Sequence, residues 1–227
     1  MNEKICTIAI DGPSGAGKSS IARRAAERFG FIYVDTGAIY RTVGLAARRA
    51  EIDPKDTDAV IALLPSLKIE LRHGEDGMQH MYLNGEDVSG LIRTPEISMY
   101  ASAVSAIPAV RAFLMDMQRD MAKTMSVIMD GRDIGTVVLP DAGLKIFMTA
   151  SAEARAQRRL LELQQKGETV SFDEVLRDMI ERDRNDSTRA AAPLKQAEDA
   201  VLLDTTELDL EGSINAVCQL IRERFSL

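Results

Sequence analysis

Short apolar runs alternate along this chain with longer segments whose apolar residues recur every three to four positions. Residues 5–10 (ICTIAI) are apolar and β-branched without alternation, the pattern of a strand covered on both faces. The run empties into the glycine-rich DGPSGAGKSS. From Ser19 to Phe29 the period becomes helical and stops at Gly30. A second strand is expected at 31–34 (FIYV), a second helix at 37–50 and a third at 56–66, closed near Pro65.

Between 66 and 104 the character changes. Residues 67–72 (LKIELR) and 80–84 (HMYLN) alternate as strands do, and HGEDGMQ between them suits a hairpin connection. Helical patterns at about 95–106 and 109–124 are split by Pro108. A strand at 126–129 (SVIM) then runs into DGRD, and another at 144–148 (LKIFM) follows. Two arginine-rich helical runs occupy 151–166 and 171–186. Residues 200–203 (AVLL) give a last strand, before an amphipathic helix at about 210–225. Strands at 5, 31, 126, 144 and 200, each followed by a helix, imply βαβ units. The fold class is therefore α/β, a five-stranded parallel sheet with helices on both faces and an antiparallel excursion at about 66–104.

Composition narrows the function. At 227 residues with 45% hydrophobic and 28% charged side chains, the chain is built to bury a substantial core rather than to remain disordered. Its 28 basic residues against 35 acidic ones give a net charge of −7, which argues against nucleic acid or an anionic membrane as the partner. Cys6 and Cys218 are too few for a disulfide framework or a zinc site and read as buried thiols. No signal-like or membrane-length apolar segment stands out, so a soluble, cytoplasmic protein is expected. His73 and His80 read as solvated surface residues. Met115, Met117, Met121 and Met125 read as core filler.

Chemistry enters with Gly12-Pro13-Ser14-Gly15-Ala16-Gly17-Lys18-Ser19, which fits G-x-x-x-x-G-K-[ST]. Glycines let the backbone turn several N–H groups toward one anion, and the following helix adds its positive end. Lys18 would reach the β- and γ-phosphates, and the Ser19 hydroxyl would sit on Mg²⁺. The motif follows a strand and opens a helix, as this mechanism demands, so ATP or GTP binding is the strong reading. No asparagine precedes a lysine, so the N-K-x-D that reads guanine in GTPases is missing. The short chain points instead to a small phosphotransferase, which must hold a second anion opposite ATP.

Three arginine groups suit that need. Arg41 closes DTGAIYR after the second strand. Arg132 lies in DGRD at the end of the third parallel strand, where open α/β sheets bind ligands. Arg155, Arg158 and Arg159 lie on one helical run, with Arg182, Arg184 and Arg189 on or near the next. For this last group a plainer role competes: Arg158 with Glu162, or Asp178 with Arg182, are i,i+4 pairs that would only solvate a helix face.

DGPSGAGKSS, DTGAIYR, DGRDIGTVVLPDA, ERDRNDSTR followed by APL, and VLLDTT resemble the bacterial-type cytidylate kinase family, in that order and across nearly the whole chain. The resemblance implies a P-loop kinase core at 1–35, 107–150 and 190–227. It also implies a monophosphate-binding segment with a small antiparallel sheet at 36–106 and a helical lid at 151–189, hinged near Gly167 within Gln164–Glu168. The implied reaction is ATP + CMP (or dCMP) → ADP + CDP (or dCDP), with Mg²⁺ accompanying ATP. The implied ATP contacts are Gly12 through Ser19, then Ser20, Arg158 and Arg159. Thr36, Tyr40, Arg41, Ser102, Arg111, Arg132, Asp133, Arg182, Asp186 and Arg189 would serve CMP. Among these, Lys18, Arg132, Arg158 and Arg182 would act on the transferring phosphoryl group. Asp133, Arg111 and Ser102 would surround the cytosine, and Asp186, Arg182 and Tyr40 would lie near the ribose and α-phosphate. Asp133 competes for a second role as a Mg²⁺ ligand, with Asp130 as an outer-shell contact. A monomer is expected.

Two other readings stay open on the sequence: a P-loop kinase for a different small acceptor, and a nucleotide-binding switch without an acceptor.

Overall fold

The computed structural model describes residues 5–74, 78–165 and 167–227. It divides into two compact units, Met1–Tyr33 with Thr124–Leu227, and Val34–Lys123.

The first unit is built on strands β1 (Thr7–Asp11), β6 (Val127–Gly131), β7 (Leu144–Thr149) and β8 (Val201–Asp204), with β2 (Ile32–Asp35) completing a sheet of order β2-β6-β1-β7-β8. β1 pairs in parallel with β6 on one side (Ile10 opposite Asp130, Asp11 opposite Gly131) and with β7 on the other (Asp11 opposite Phe147). Consecutive strands thus step to opposite sides of β1. In an open α/β sheet that reversal opens a crevice at the strands' carboxyl ends. Helices α1 (Lys18–Phe29) and α8 (Leu210–Phe225) pack with the sheet through Ile8, Ile10, Ile21, Ala22, Ile146, Ile214 and Ile221. Cys6 and Cys218 are buried thiols in this core. Helices α6 (Ala152–Gln165) and α7 (Phe172–Thr188) carry a small core of their own around Ala156, Leu163, Val175 and Met179. Ser171 and Glu174 cap α7 reciprocally, and Gly167, at φ 80°, follows the last turn of α6.

The second unit packs α2 (Thr36–Arg49), α3 (Thr57–Leu63), α4 (Pro95–Val104) and α5 (Pro108–Thr124) with an antiparallel sheet of β3 (Ile69–His73), β4 (Gln79–Leu83) and β5 (Glu86–Asp87). Its core gathers Ile39, Val43, Val60, Met81, Ile92, Val104 and Leu114. Pro65 sits in a 3₁₀ turn that extends α3, and the break at Pro108 turns α5 by 101° from α4. Among the described residues no single helix is long and apolar enough to cross a membrane.

The expected strands are present, and so are the helices given ranges above, with ends displaced by at most three residues. Three details differ from the sequence reading. The strand after Ser126 is not followed by an α-helix: residues Ile134–Val138 form one π-helical turn, held by bonds from Val137 and Val138 N–H to the Asp133 carbonyl. The excursion has a third strand, β5, which two exposed residues could not announce by pattern. The hairpin connection is shorter than HGEDGMQ, because His73 and Gln79 pair with each other; Glu75–Gly77 lie outside the described residues.

Two side-chain readings also change. His73 and His80 are half-buried strand residues, and His80 Nδ1 lies 3.1 Å from Asp87. Met115, Met117 and Met121 are half-buried, whereas Met125 is exposed.

Candidate active site

At the carboxyl end of β1 the chain enters the glycine-rich loop. A side chain at Gly12 would bring a Cβ to 1.9 Å from the Met148 carbonyl oxygen on β7, so no residue but glycine lets the loop leave the sheet here. Gly17, left-handed at φ 85°, starts α1 with its backbone N–H groups directed out of the helix end, where a phosphate would find both donors and the positive dipole. Lys18 is 5% exposed and its Nζ donates to the Pro13 carbonyl at 2.7 Å. Burial, and next the charge of Arg132, hold its ammonium well below the ordinary lysine range, while Asp130, Asp11 and Asp186 pull it back up. Two cations are thus held near one loop, partly offset by the carboxylates around them.

Ser19 Oγ donates to Asp130 Oδ2 at 2.9 Å, and Tyr33 donates to the other oxygen, Oδ1, at 2.8 Å. Asp130 is itself buried at the end of β6. This pair is all oxygen and supplies few ligands, which fits Mg²⁺: that ion keeps several waters and takes the rest of its shell from substrate phosphates.

Arg132 follows β6. Its Nε donates to Asp186 of α7 at 2.7 Å. Burial would raise the Asp186 carboxyl, but Arg132, Arg182 and Arg189 outweigh it and hold the group below its usual range. Asp133, 4% exposed, lies 3.4 Å from Nη2 of Arg189, whose Nε donates to the Ala192 carbonyl. The structure therefore brings Lys18, Ser19, Asp130 and Tyr33 into one group, and Arg132, Asp133, Asp186 and Arg189 into ion pairs.

The arginines of α6 have different partners. Arg158 donates to the Thr205 and Leu208 carbonyls, and Arg159 pairs with Glu162 at 3.1 Å. Arg155, 4% exposed, is the one that touches the phosphate loop. Its Nη1 donates to the Ser14 carbonyl at 3.0 Å, its Nη2 to Asp183 at 2.6 Å and its Nε to the Ala150 carbonyl at 2.9 Å. On α6 the buried positions are 155, 156 and 163.

Ser20 is exposed on α1, and Arg182 lies on α7, where its charge helps to hold the Asp186 carboxyl down; the remaining candidates lie in the second unit. Asp35 caps α2 by accepting from Ala38 N–H at 2.9 Å and pairs with Arg41 at 2.8 Å. Thr36 and Tyr40 are buried, and the Arg111 guanidinium sits 5.5 Å from the centre of the Tyr40 ring. Ser102 is half-buried on α4, its carbonyl accepting from Ser105.

Besides Tyr33 and Asp183, Asp11 escaped the sequence reading. Asp11, at the end of β1, accepts from the backbone N–H of Ile134 and of Gly135, each at 2.7 Å. Burial pushes its carboxyl up to about 6, against the pull of those two N–H groups.

A family model described as cytidylate kinase matches residues 8–223. A protein named cytidylate kinase from Caldicellulosiruptor bescii is 51% identical over 217 residues, 96% of either chain, and one of the same name from Caldicellulosiruptor saccharolyticus is 48% identical over equal coverage. Among solved structures, an uncharacterized protein from Eubacterium ventriosum superposes with a TM-score of 0.50 at 12% identity, over 97% of this chain and all of that one; this likeness concerns the fold alone.

Proposed function

The chain belongs to the cytidylate kinase family, and from that premise we propose that it transfers the γ-phosphoryl group of ATP to CMP or dCMP, giving CDP or dCDP. It is a phosphotransferase with a phosphate group as acceptor. The observation that carries this reading is the buried Lys18 ammonium, depressed in part by Arg132, at the mouth of the phosphate loop. The phosphates of the two substrates would supply the opposite charge that a buried ammonium and its neighbouring guanidinium favour.

No general base is needed. A phosphate monoester has its second pKa near 6, so the attacking oxygen of CMP is already ionised at neutral pH. What the protein must supply is alignment of two anions that repel each other and donors for the charge spread over the transferring group. The loop amides and Lys18 are assigned to the ATP phosphates, and Arg132, Arg182 and Arg189 to the phosphoryl being moved and to the CMP phosphate. Asp186 is assigned to the ribose, with its bond to Arg132 fixing the guanidinium in place. Ser19 and Asp130 are assigned to Mg²⁺, directly and through water respectively; when bound, the ion neutralises charge on the β- and γ-phosphate oxygens. Helices α6 and α7 are assigned as the lid, with Arg158 and Arg159 approaching ATP on closure. By the same family likeness Thr36, Tyr40, Arg41, Ser102 and Arg111 of the second unit are assigned to CMP.

Asp133 is assigned to the exocyclic amine of cytosine. Uracil would present a carbonyl oxygen to that carboxylate, leaving a buried group unpaired, a mismatch that costs several powers of ten in kcat/KM. The protein is proposed to work as a cytoplasmic monomer.

The test is ADP release with CMP, UMP, AMP, GMP and shikimate as acceptors. CMP or dCMP is expected to give the highest kcat/KM, and any other acceptor in first place overturns the assignment. Asp133→Ala is expected to impair CMP turnover far more than ATP binding; loss of Mg·ATP binding with CMP affinity intact would make Asp133 a metal ligand instead.

A further inference from the structure

The turn Ile134–Val138 begins directly after Arg132 and Asp133, so whatever fixes this turn fixes them. Its first backbone N–H groups have no partner within the turn and need an acceptor. The residue placed to give one is Asp133, at the capping position, yet its side chain makes no capping bond. The acceptor comes from the neighbouring strand. Both carboxylate oxygens of Asp11 are used, Oδ1 by Ile134 N–H and Oδ2 by Gly135 N–H, each at 2.7 Å. Asp11 is itself immobilised, since β1 pairs on both sides at this residue, with Gly131 and with Phe147. It immediately precedes Gly12, so one residue ties the start of the phosphate loop to the start of the turn.

We propose that Asp11 is a positioning residue for acceptor recognition: it caps the turn in place of Asp133 and thereby keeps the Asp133 carboxylate for the acceptor base. The inference rests on the reading of Asp133 as the group that meets cytosine. A carboxylate at the head of a turn normally folds back onto the turn's own N–H groups. With those donors already satisfied by Asp11, Asp133 gains nothing by folding back and stays beside Arg189. The arrangement also explains why a carboxylate is kept where burial disfavours it: an amide could satisfy one of the two N–H groups, but would present its own N–H to the other.

The experiment compares wild type with Asp11→Asn, using steady-state kinetics and backbone hydrogen exchange. The variant is expected to raise KM for CMP about tenfold and to narrow the preference for CMP over UMP by a similar factor, with KM for ATP within twofold. Exchange should accelerate in peptides covering 131–139 and stay unchanged at 127–130 of β6. Equal losses for ATP and CMP, or unchanged exchange at 131–139, overturn the proposal. If Asp11→Asn does not fold, Gly135→Ala replaces it. Its Cβ would sit 3.1 Å from the Lys145 Cδ and 3.4 Å from Asp11 Oδ2, crowding the same bond while keeping the carboxylate. A rise of about threefold in KM for CMP alone is then expected, and an unchanged value overturns the proposal. Failure of the parent reading looks different: a wild-type enzyme inactive on CMP removes the acceptor role, whereas exchange at 131–139 still reports on the cap.

Discussion

The two units handle charge in opposite ways. Of the charged side chains buried among the described residues, Asp11, Lys18, Asp130, Asp133, Lys145, Arg155 and Asp186 lie in the first unit, and only Asp35 and Arg111 in the second. Apart from the pair between Arg41 and buried Asp35, the ion pairs named in the second unit stand in solvent: Arg48 with Glu96, Arg49 with Glu86, and Glu70 between Lys68 and Arg72. Water screens such pairs, and they add little to stability. Buried charges are different: each loses hydration and must be matched by partners. The first unit therefore carries most of the buried charge at a cost in stability, whereas the second draws its stability mainly from apolar packing.

The sharpest way to break this contrast is at Lys18. Lys18→Met is expected to lower kcat by about 10²–10³-fold, the loss usual for one donor aimed at developing charge. The same change removes a desolvated ammonium and its repulsion from Arg132, so the melting temperature should hold or rise. Steady-state kinetics and a thermal melt on one preparation read both effects. A variant that unfolds instead would mean that Lys18 supports the structure as well.

The second unit should give the reverse pattern when its apolar interior is cut. Leu114 of α5 is fully buried against Ile39, Val43 and Val104. Leu114→Ala is expected to cost about 3–4 kcal/mol in chemical denaturation, from lost transfer energy and the cavity left behind. A loss below about 1 kcal/mol would show that this core collapses readily around the gap.

Asp11 offers a pH test of the first unit alone. Its carboxyl rises from 3.8 to about 6 because of burial. Between those values the folded chain retains a proton that the unfolded chain has released. Stability contributed by this group is therefore largest below pH 4, falls as pH rises and levels off above 6. Measured as the difference between wild type and Asp11→Asn, which removes the titration, the decline from pH 4 to 7 should be about 2 kcal/mol. A flat or rising difference would mean that the two N–H donors outweigh burial.

The same contrast explains what the sequence made legible. Strands buried on both faces of a parallel sheet must be continuous apolar runs, so ICTIAI, SVIM and LKIFM could be read directly. Gly30 and Pro108 mark chain breaks by their own backbone chemistry. The phosphate loop was legible because its residues are contiguous. Strand β5 lacks an apolar pattern, although Asn84-Gly85 before it is a strong hairpin signal and both residues have positive φ. The Asp11 cap joins residues 123 and 124 positions apart, and nothing local to either segment announces it. Arg155 was visible only as one of several arginines. Which of them turns inward depends on the phase of α6 against Ser14 and Asp183, which tertiary packing sets.

The smallest effect is expected at the surface of the second unit, in the pair between Arg49 and Glu86. Its geometry is as good as an ion pair allows: Nη1 to Oε2 at 2.6 Å and Nη2 to Oε1 at 2.8 Å, joining α2 to β5. That fork holds the Arg49 guanidinium above its ordinary pKa and the Glu86 carboxyl below its own. Yet the two side chains are 42% and 51% exposed, so water competes for every one of these bonds. Arg49→Ala is accordingly expected to shift the melting temperature by about 2 °C or less, and by less still in 1 M salt, where screening acts over about 3 Å. A double-mutant cycle with Glu86→Ala isolates the pair from the packing of the arginine stem. Should the cycle return a coupling that moves the melt by 5 °C or more and persists in salt, geometry rather than burial would decide what a charge contributes here, and the contrast between the two units would fail at its solvent-exposed end.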